Sequence, residues 1–201
     1  MFLDETGLML QPLVRRTWAP KGQTPVMYCW DRHDRLSVIG ALTVAARRRR
    51  IGLYFTVHRT NVQTDELETF LRQIQRTLRK RLIVVMDRWA VHRGVAKRLF
   101  GDKRFWIEWL PPYAPDLNPV EHVWGHTKYG DLANYIPDNL LDLQLEFDIA
   151  MDRLKGAPKL LRSFFHAWRP ASDCRAAYPP AGSGPTRAGR PSATAAETRT
   201  S

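Results

Sequence analysis

The sequence predicts an α/β fold: a mixed sheet, made of a three-stranded antiparallel meander plus parallel strands, flanked by helices. Three observations predict it. The first sixty residues carry long β-branched and apolar runs. From Thr64 the apolar period changes from that of a strand to spacings of three and four. Beyond Leu82, short continuous apolar runs alternate with helical patterns, which is the order that builds parallel strands with covering helices. At 201 residues and 44% hydrophobic, the chain can bury one substantial core.

Met1 to Leu10 reads as a strand, closed by Pro12 and the basic pair Arg15 and Arg16. Leu36 to Ala46 and Ile51 to Val57 form a hairpin whose tip is Arg47, Arg48, Arg49 and Arg50. Those four arginines serve either as a solvated turn or as phosphate contacts. Leu67, Phe70, Leu71, Ile74 and Leu78 mark one apolar face of a helix, with Thr64 as its N-cap and Asp65 and Glu66 in its first turn. Arg76, Arg79, Lys80 and Arg81 lie at the end of that helix that favours positive charge.

Leu82 to Met86 suits a buried strand. A helix over Gly94 to Phe100 and a strand over Phe105 to Leu110 follow, and Pro111 and Pro112 stop the strand. Asn118 is placed to cap a helix with Pro119 at its first position, running through Trp124 toward Lys128. Helical patterns occupy Asn139 to Leu154 and Lys159 to Ala167. Residues 1–169 are therefore expected to form one domain. Residues 170–201 hold few large apolar side chains and are expected to be a disordered basic tail.

Lys and Arg number 31 against 20 Asp and Glu, a net charge of +11 that marks a polyanionic partner such as nucleic acid. Two cysteines, Cys29 and Cys174, make no disulfide framework and fit a reducing cytosol. With neither an apolar stretch of bilayer-spanning length nor a signal-peptide pattern at Met1 to Glu5, the expected setting is the cytoplasm, with no membrane partner.

Three acids stand in contexts that suit one task. Asp4 interrupts the first strand, Asp87 ends the run Leu82 to Met86, and Glu121 lies in the first turn of the helix capped by Asn118. Carboxylates brought from separate elements can hold a pair of Mg²⁺ ions, which take oxygen ligands and clamp both oxygens of a phosphoryl displacement. If the first strand neighbours the strand ending at Asp87, the two aspartates meet. Trp124 reads as a core anchor for the third acid's helix. His122 and His126 have a spacing that can bind zinc, but their order, Glu-His-x-x-x-His, differs from that of a zinc protease.

The blocks Leu3-Asp4-Glu5-Thr6-Gly7, Val85-Met86-Asp87 with His92 after it, and the fifteen residues from Leu110 to Trp124 together resemble the catalytic domain of mariner-like insertion-sequence transposases. These belong to the DDE superfamily of endonucleases. The likeness extends from about Phe2 to about Trp168. It implies a ribonuclease H-like fold and a metal-binding catalytic triad of Asp4, Asp87 and Glu121. It also implies Mg²⁺ as cofactor, with Mn²⁺ able to substitute, and cleavage of DNA at element ends with strand transfer into target DNA.

The partners so implied are DNA and, on DNA, a second copy of the chain. The resemblance further implies a bacterial, nucleoid-associated protein. His92 could act beside the metals, contact the leaving phosphate or be an exposed turn residue, and Arg88 could pair with Asp87 or contact DNA. Members of this group carry an N-terminal helix-turn-helix region, whereas only three residues precede Asp4 here. An upstream reading frame supplying that region, or a truncated copy, is the expectation. The alternatives are another ribonuclease H-like nuclease and an inactive remnant that only binds DNA.

Overall fold

A computed structural model describes residues 1–29, 34–45, 50–112 and 114–167. Arg47, Arg48 and Arg49 and the expected tail at 170–201 lie outside the described residues.

Five strands form one sheet: β1 (Phe2–Met9), β2 (Arg35–Val44), β3 (Ile51–His58), β4 (Leu82–Met86) and β5 (Phe105–Trp109). Their order is β3-β2-β1-β4-β5. β1, β2 and β3 are antiparallel neighbours, while β4 pairs parallel with both β1 and β5. The expected meander and the expected contact between the first strand and the strand before Asp87 are both present. Parallel neighbours need a crossover between them, and the helices α1 (Thr64–Leu78) and α2 (Ala90–Arg98) supply it. Three more helices follow: α3 (Pro119–His126), α4 (Leu140–Lys155) and α5 (Pro158–Ala167).

Strand alternation divides the interior into two cores. Leu3, Ile39, Ala41, Val84 and Met86 face α1 and α2, against Leu67, Leu71 and Val95. Leu8, Leu36, Val38 and Leu42 face the other way, against Trp124 of α3, Phe147 of α4 and Leu161 of α5. Successive side chains on β1 therefore enter opposite cores. That alternation sends Asp4 toward α3 and Glu5 toward α2.

Three boundaries differ from the sequence expectation. Gln63, not Thr64, caps α1, because the Glu66 carboxylate accepts the Gln63 backbone N–H at 3.0 Å and draws the helix start one residue back. α2 begins at Ala90, four residues before Gly94, so His92 lies inside it. α3 widens into a π-helical turn, Thr127–Asp131, that carries the chain past Lys128. Among the described residues no helix is long and apolar enough to cross a membrane.

Candidate active site

β1 and β4 fix the first two acids. Phe2 pairs with Val85 in the parallel register, so Asp4 and Asp87, each two residues further on, come level with one another at adjacent chain positions. Both line a cleft of about 600 Å³.

Asn118 brings in the third. Its side-chain oxygen accepts the Val120 N–H at 3.2 Å, the expected helix cap. Its amide nitrogen, buried with the rest of the side chain, donates to the Leu3 carbonyl at 3.0 Å. One side chain thus starts α3 and pins that start to β1 beside Asp4. Pro119 at the first helical position needs no N–H partner there, and Glu121 follows in the first turn, exposed to solvent. Trp124, one turn further along α3, is buried and donates its indole N–H to Asp4 Oδ2 at 3.0 Å. It packs on Gly40, where even a Cβ would come within 2.3 Å of the indole.

Asp4 is the electrostatic centre of the group. Burial, then the charges of Glu121 and Glu5, push its carboxyl up to about 7, and the Trp124 bond only partly opposes them. A carboxylate so placed attracts a cation. Lys128 is one candidate from the chain itself: burial holds its ammonium below the ordinary lysine value, while Glu121 and Asp4 pull the other way.

Asp87 is held differently. Its Oδ1 accepts the Trp89 backbone N–H at 2.9 Å and stands 2.5 Å from His92 Nδ1. The other ring nitrogen of His92 lies 2.9 Å from both oxygens of Glu5. Burial disfavours the charge on His92, but the carboxylates of Glu5 and Asp87 outweigh it and raise its pKa above the usual histidine value. His92 therefore bridges β1 to the end of β4 from within α2, almost fully buried, and is no exposed turn residue. Arg88 does not pair with Asp87; its guanidinium lies over the Trp109 ring at 6.0 Å.

Of the remaining expected residues, Arg50 is exposed just before the edge strand β3, away from these acids in sequence. His122 and His126 face the Phe164 ring, with centroids at 6.3 and 6.0 Å, and His126 also faces Asp131 at 3.3 Å. Among the described residues, no three acid, histidine or cysteine side chains are gathered closely enough to hold an ion as they stand. The donor chemistry nevertheless fits a hard divalent cation: carboxylate oxygens from three elements, one of them raised toward neutrality by burial and then by its acidic neighbours.

Sequence reading missed Glu5, Lys128 and the polar role of Trp124. Each had a signal. Glu5 follows Asp4 on a strand, so it had to face the other core. Trp124 and Lys128 follow Glu121 by three and seven residues, one and two turns along the same face of a helix.

No curated protein matches the sequence significantly. Solved structures similar to the chain include the Mos1 transposase paired-end complex with left transposon end, 15% identical with a TM-score of 0.58, covering 83% of this chain and 51% of that one. The Mos1 mariner paired end complex with Mn is 19% identical with a TM-score of 0.59, over 83% of this chain and 51% of that one. A pre-cleavage Mos1 transpososome is 16% identical with a TM-score of 0.57, over 83% and 52%. The chain thus spans about half the length of these proteins, and at such identities the likeness is one of fold, the ribonuclease H-like sheet. The family model described as DDE superfamily endonuclease matches residues 1–141, more than half of the sequence, and the chain belongs to that family.

Proposed function

We propose that this chain is the catalytic domain of a DNA transposase, which cleaves DNA at element ends and transfers the freed strand into target DNA. The observation that supports the reading is the setting of Asp4. Glu121 from α3 acts on its charge, and Asp87 stands level with it at the end of the neighbouring strand. Asp4, Asp87 and Glu121 would hold Mg²⁺, or Mn²⁺ in its place. When bound, such ions lower the pKa of an attacking water or hydroxyl and stabilise charge on the leaving oxygen.

The chain's own groups do the rest. Asn118 and Trp124 hold α3 against β1, so that Glu121 and Asp4 keep their separation. His92, anchored by Glu5, holds Oδ1 of Asp87, leaving Oδ2 to turn toward Asp4. Lys128 stands within the field of Asp4 and Glu121, where it can meet a phosphate oxygen. The net charge of +11 supplies affinity for the DNA backbone.

Support for DNA as substrate comes from this charge, from family membership and from the relatives, described as complexes with a transposon end. Because the chain spans about half of those proteins, end recognition is assigned to a further segment, such as a helix-turn-helix encoded upstream, and assembly on DNA to a homodimer. A cytoplasmic, nucleoid-bound location accompanies the proposal.

The test is an assay with Mg²⁺ on supercoiled DNA and on a pre-cut end bearing a 3′-hydroxyl. Nicking together with joining of the pre-cut end supports a transposase. Nicking alone assigns the chain to another class of ribonuclease H-like nuclease. Neither activity, with DNA binding intact, makes it a remnant.

A further inference from the structure

The cleft that holds Asp4 and Asp87 continues well past them, and at its rim stands an aromatic ring that the proposed chemistry does not use. Trp89 precedes α2 and is 45% exposed. It is nonetheless fixed in place. Its backbone N–H donates to Asp87 Oδ1 at 2.9 Å, and its ring meets the buried His92 ring edge to face, with centroids 5.7 Å apart at 87°. The ring is thus held in register with Asp87 while much of its surface stays open to solvent.

Beyond Trp89 the cleft is built for a polar ligand with a flat apolar part. Val62 and Val91 give it apolar wall, and Ser37 and Gln63 give it hydrogen-bonding groups. At its far side the Arg35 guanidinium donates to Asn61 Oδ1 at 2.6 Å, which steadies a cation opposite the acids. Ala90 and Val91, the first residues of α2, also line it. A volume of about 600 Å³ falls in the range of small-ligand sites and admits a nucleotide.

We propose that this cleft is a subsite for one unpaired nucleotide of the DNA next to the bond being cut. Its base stacks on Trp89, and its phosphate lies toward Arg35. A base inside a duplex is already stacked on its neighbours, so only an unpaired or extruded one presents a face to the indole. Stacking is indifferent to base identity, so the subsite selects strand state and not sequence. The inference rests on DNA being the substrate.

The experiment is equilibrium binding of the full chain, by fluorescence anisotropy without Mg²⁺, to three DNAs. These are a blunt duplex, the same duplex with a three-nucleotide single-stranded extension, and that extension with abasic sites. The wild type should bind the extension roughly tenfold or more tighter than its abasic counterpart, the scale of one base–aromatic stack. Trp89→Ala should erase that difference and leave blunt-duplex affinity unchanged, while Trp89→Phe should keep most of it. Equal weakening on all three DNAs, or a wild type blind to abasic sites, overturns the subsite alone. Failure to bind any of the three overturns the subsite and DNA as substrate together. Cleavage plays no part in the readout, so an inactive protein still gives an answer.

Discussion

The indole N–H of Trp124 donates to Asp4 Oδ2 across 3.0 Å, and this bond joins the helix that carries Glu121 to the strand that carries the first acid. The ring reaches that point because Gly40, opposite Asp4 on β2, leaves room for it. A glycine in mid-strand gives up packing and backbone entropy, and here the vacated space is filled by the indole.

Trp124→Phe should therefore separate two roles of the side chain. It keeps most of the packing and loses the donor, at a stability cost of about 1 kcal/mol, with a clear fall in cleavage rate. Gly40→Ala should act from the other side, because its Cβ would collide with the ring and displace it. Overpacking of this kind costs about 1–3 kcal/mol. Chemical denaturation and a nicking assay measure both. A Gly40→Ala protein with wild-type stability and activity would show that the indole has freedom this packing denies it.

Asp4 predicts a pH dependence whose sign follows from its raised pKa. Folding lifts its carboxyl from 3.8 to about 7, so the folded state holds the proton more tightly than the unfolded chain. The contribution to stability is complete below about pH 4 and is lost as pH rises through about 7. Added Mg²⁺ binds the ionised form and should raise the melting temperature more at pH 8 than at pH 5. Asp4→Asn, neutral throughout, should flatten both effects. Melting curves across pH, with and without Mg²⁺, test this, and an unchanged profile in Asp4→Asn would assign the dependence elsewhere.

Replacing each acid should separate chemistry from binding. Asp4→Ala, Asp87→Ala and Glu121→Ala should each cut DNA cleavage by at least about a hundredfold, as expected when charge stabilisation at a reacting phosphate is removed. DNA affinity should change little, since it rests on Lys and Arg elsewhere. Nicking at the wild-type rate by any one of the three removes that residue from the site.

DNA binding by this chain should be strongly salt-dependent and weakly sequence-dependent. Each phosphate neutralised releases condensed counterions, so the dissociation constant should climb steeply between 50 and 200 mM salt, by about a thousandfold if six phosphates are contacted. A preference for element-end DNA over a scrambled duplex above roughly a thousandfold would show that the chain itself reads base edges.

Much of this was legible before any coordinates. Apolar runs and helix periodicity locate the five strands and α1, α4 and α5 to within a few residues, because such patterns are set by the backbone and survive local variation. The cap at Asn118 was readable for the same reason: an Asn-Pro pair before a helical pattern has one common use. Its second bond, to the Leu3 carbonyl, was not, since it joins residues 115 positions apart. The start of α2 was misplaced because Trp89 is not a typical capping residue, and that left His92 open between a place beside the acids and an exposed turn. Only tertiary structure brings Glu5, His92 and Asp87 into one line.

The most direct test of the account is where a divalent cation binds. Crystals of the protein soaked in Mn²⁺ and measured for anomalous scattering give that position without reference to activity. The account predicts a peak at about 2.0–2.3 Å from a carboxylate oxygen of Asp4 and within ligand reach of Asp87 or Glu121. A second peak about 3.5–4 Å away is expected once DNA is bound. Mn²⁺ found only at other acids, with Asp4, Asp87 and Glu121 ordered and free of metal, would contradict it.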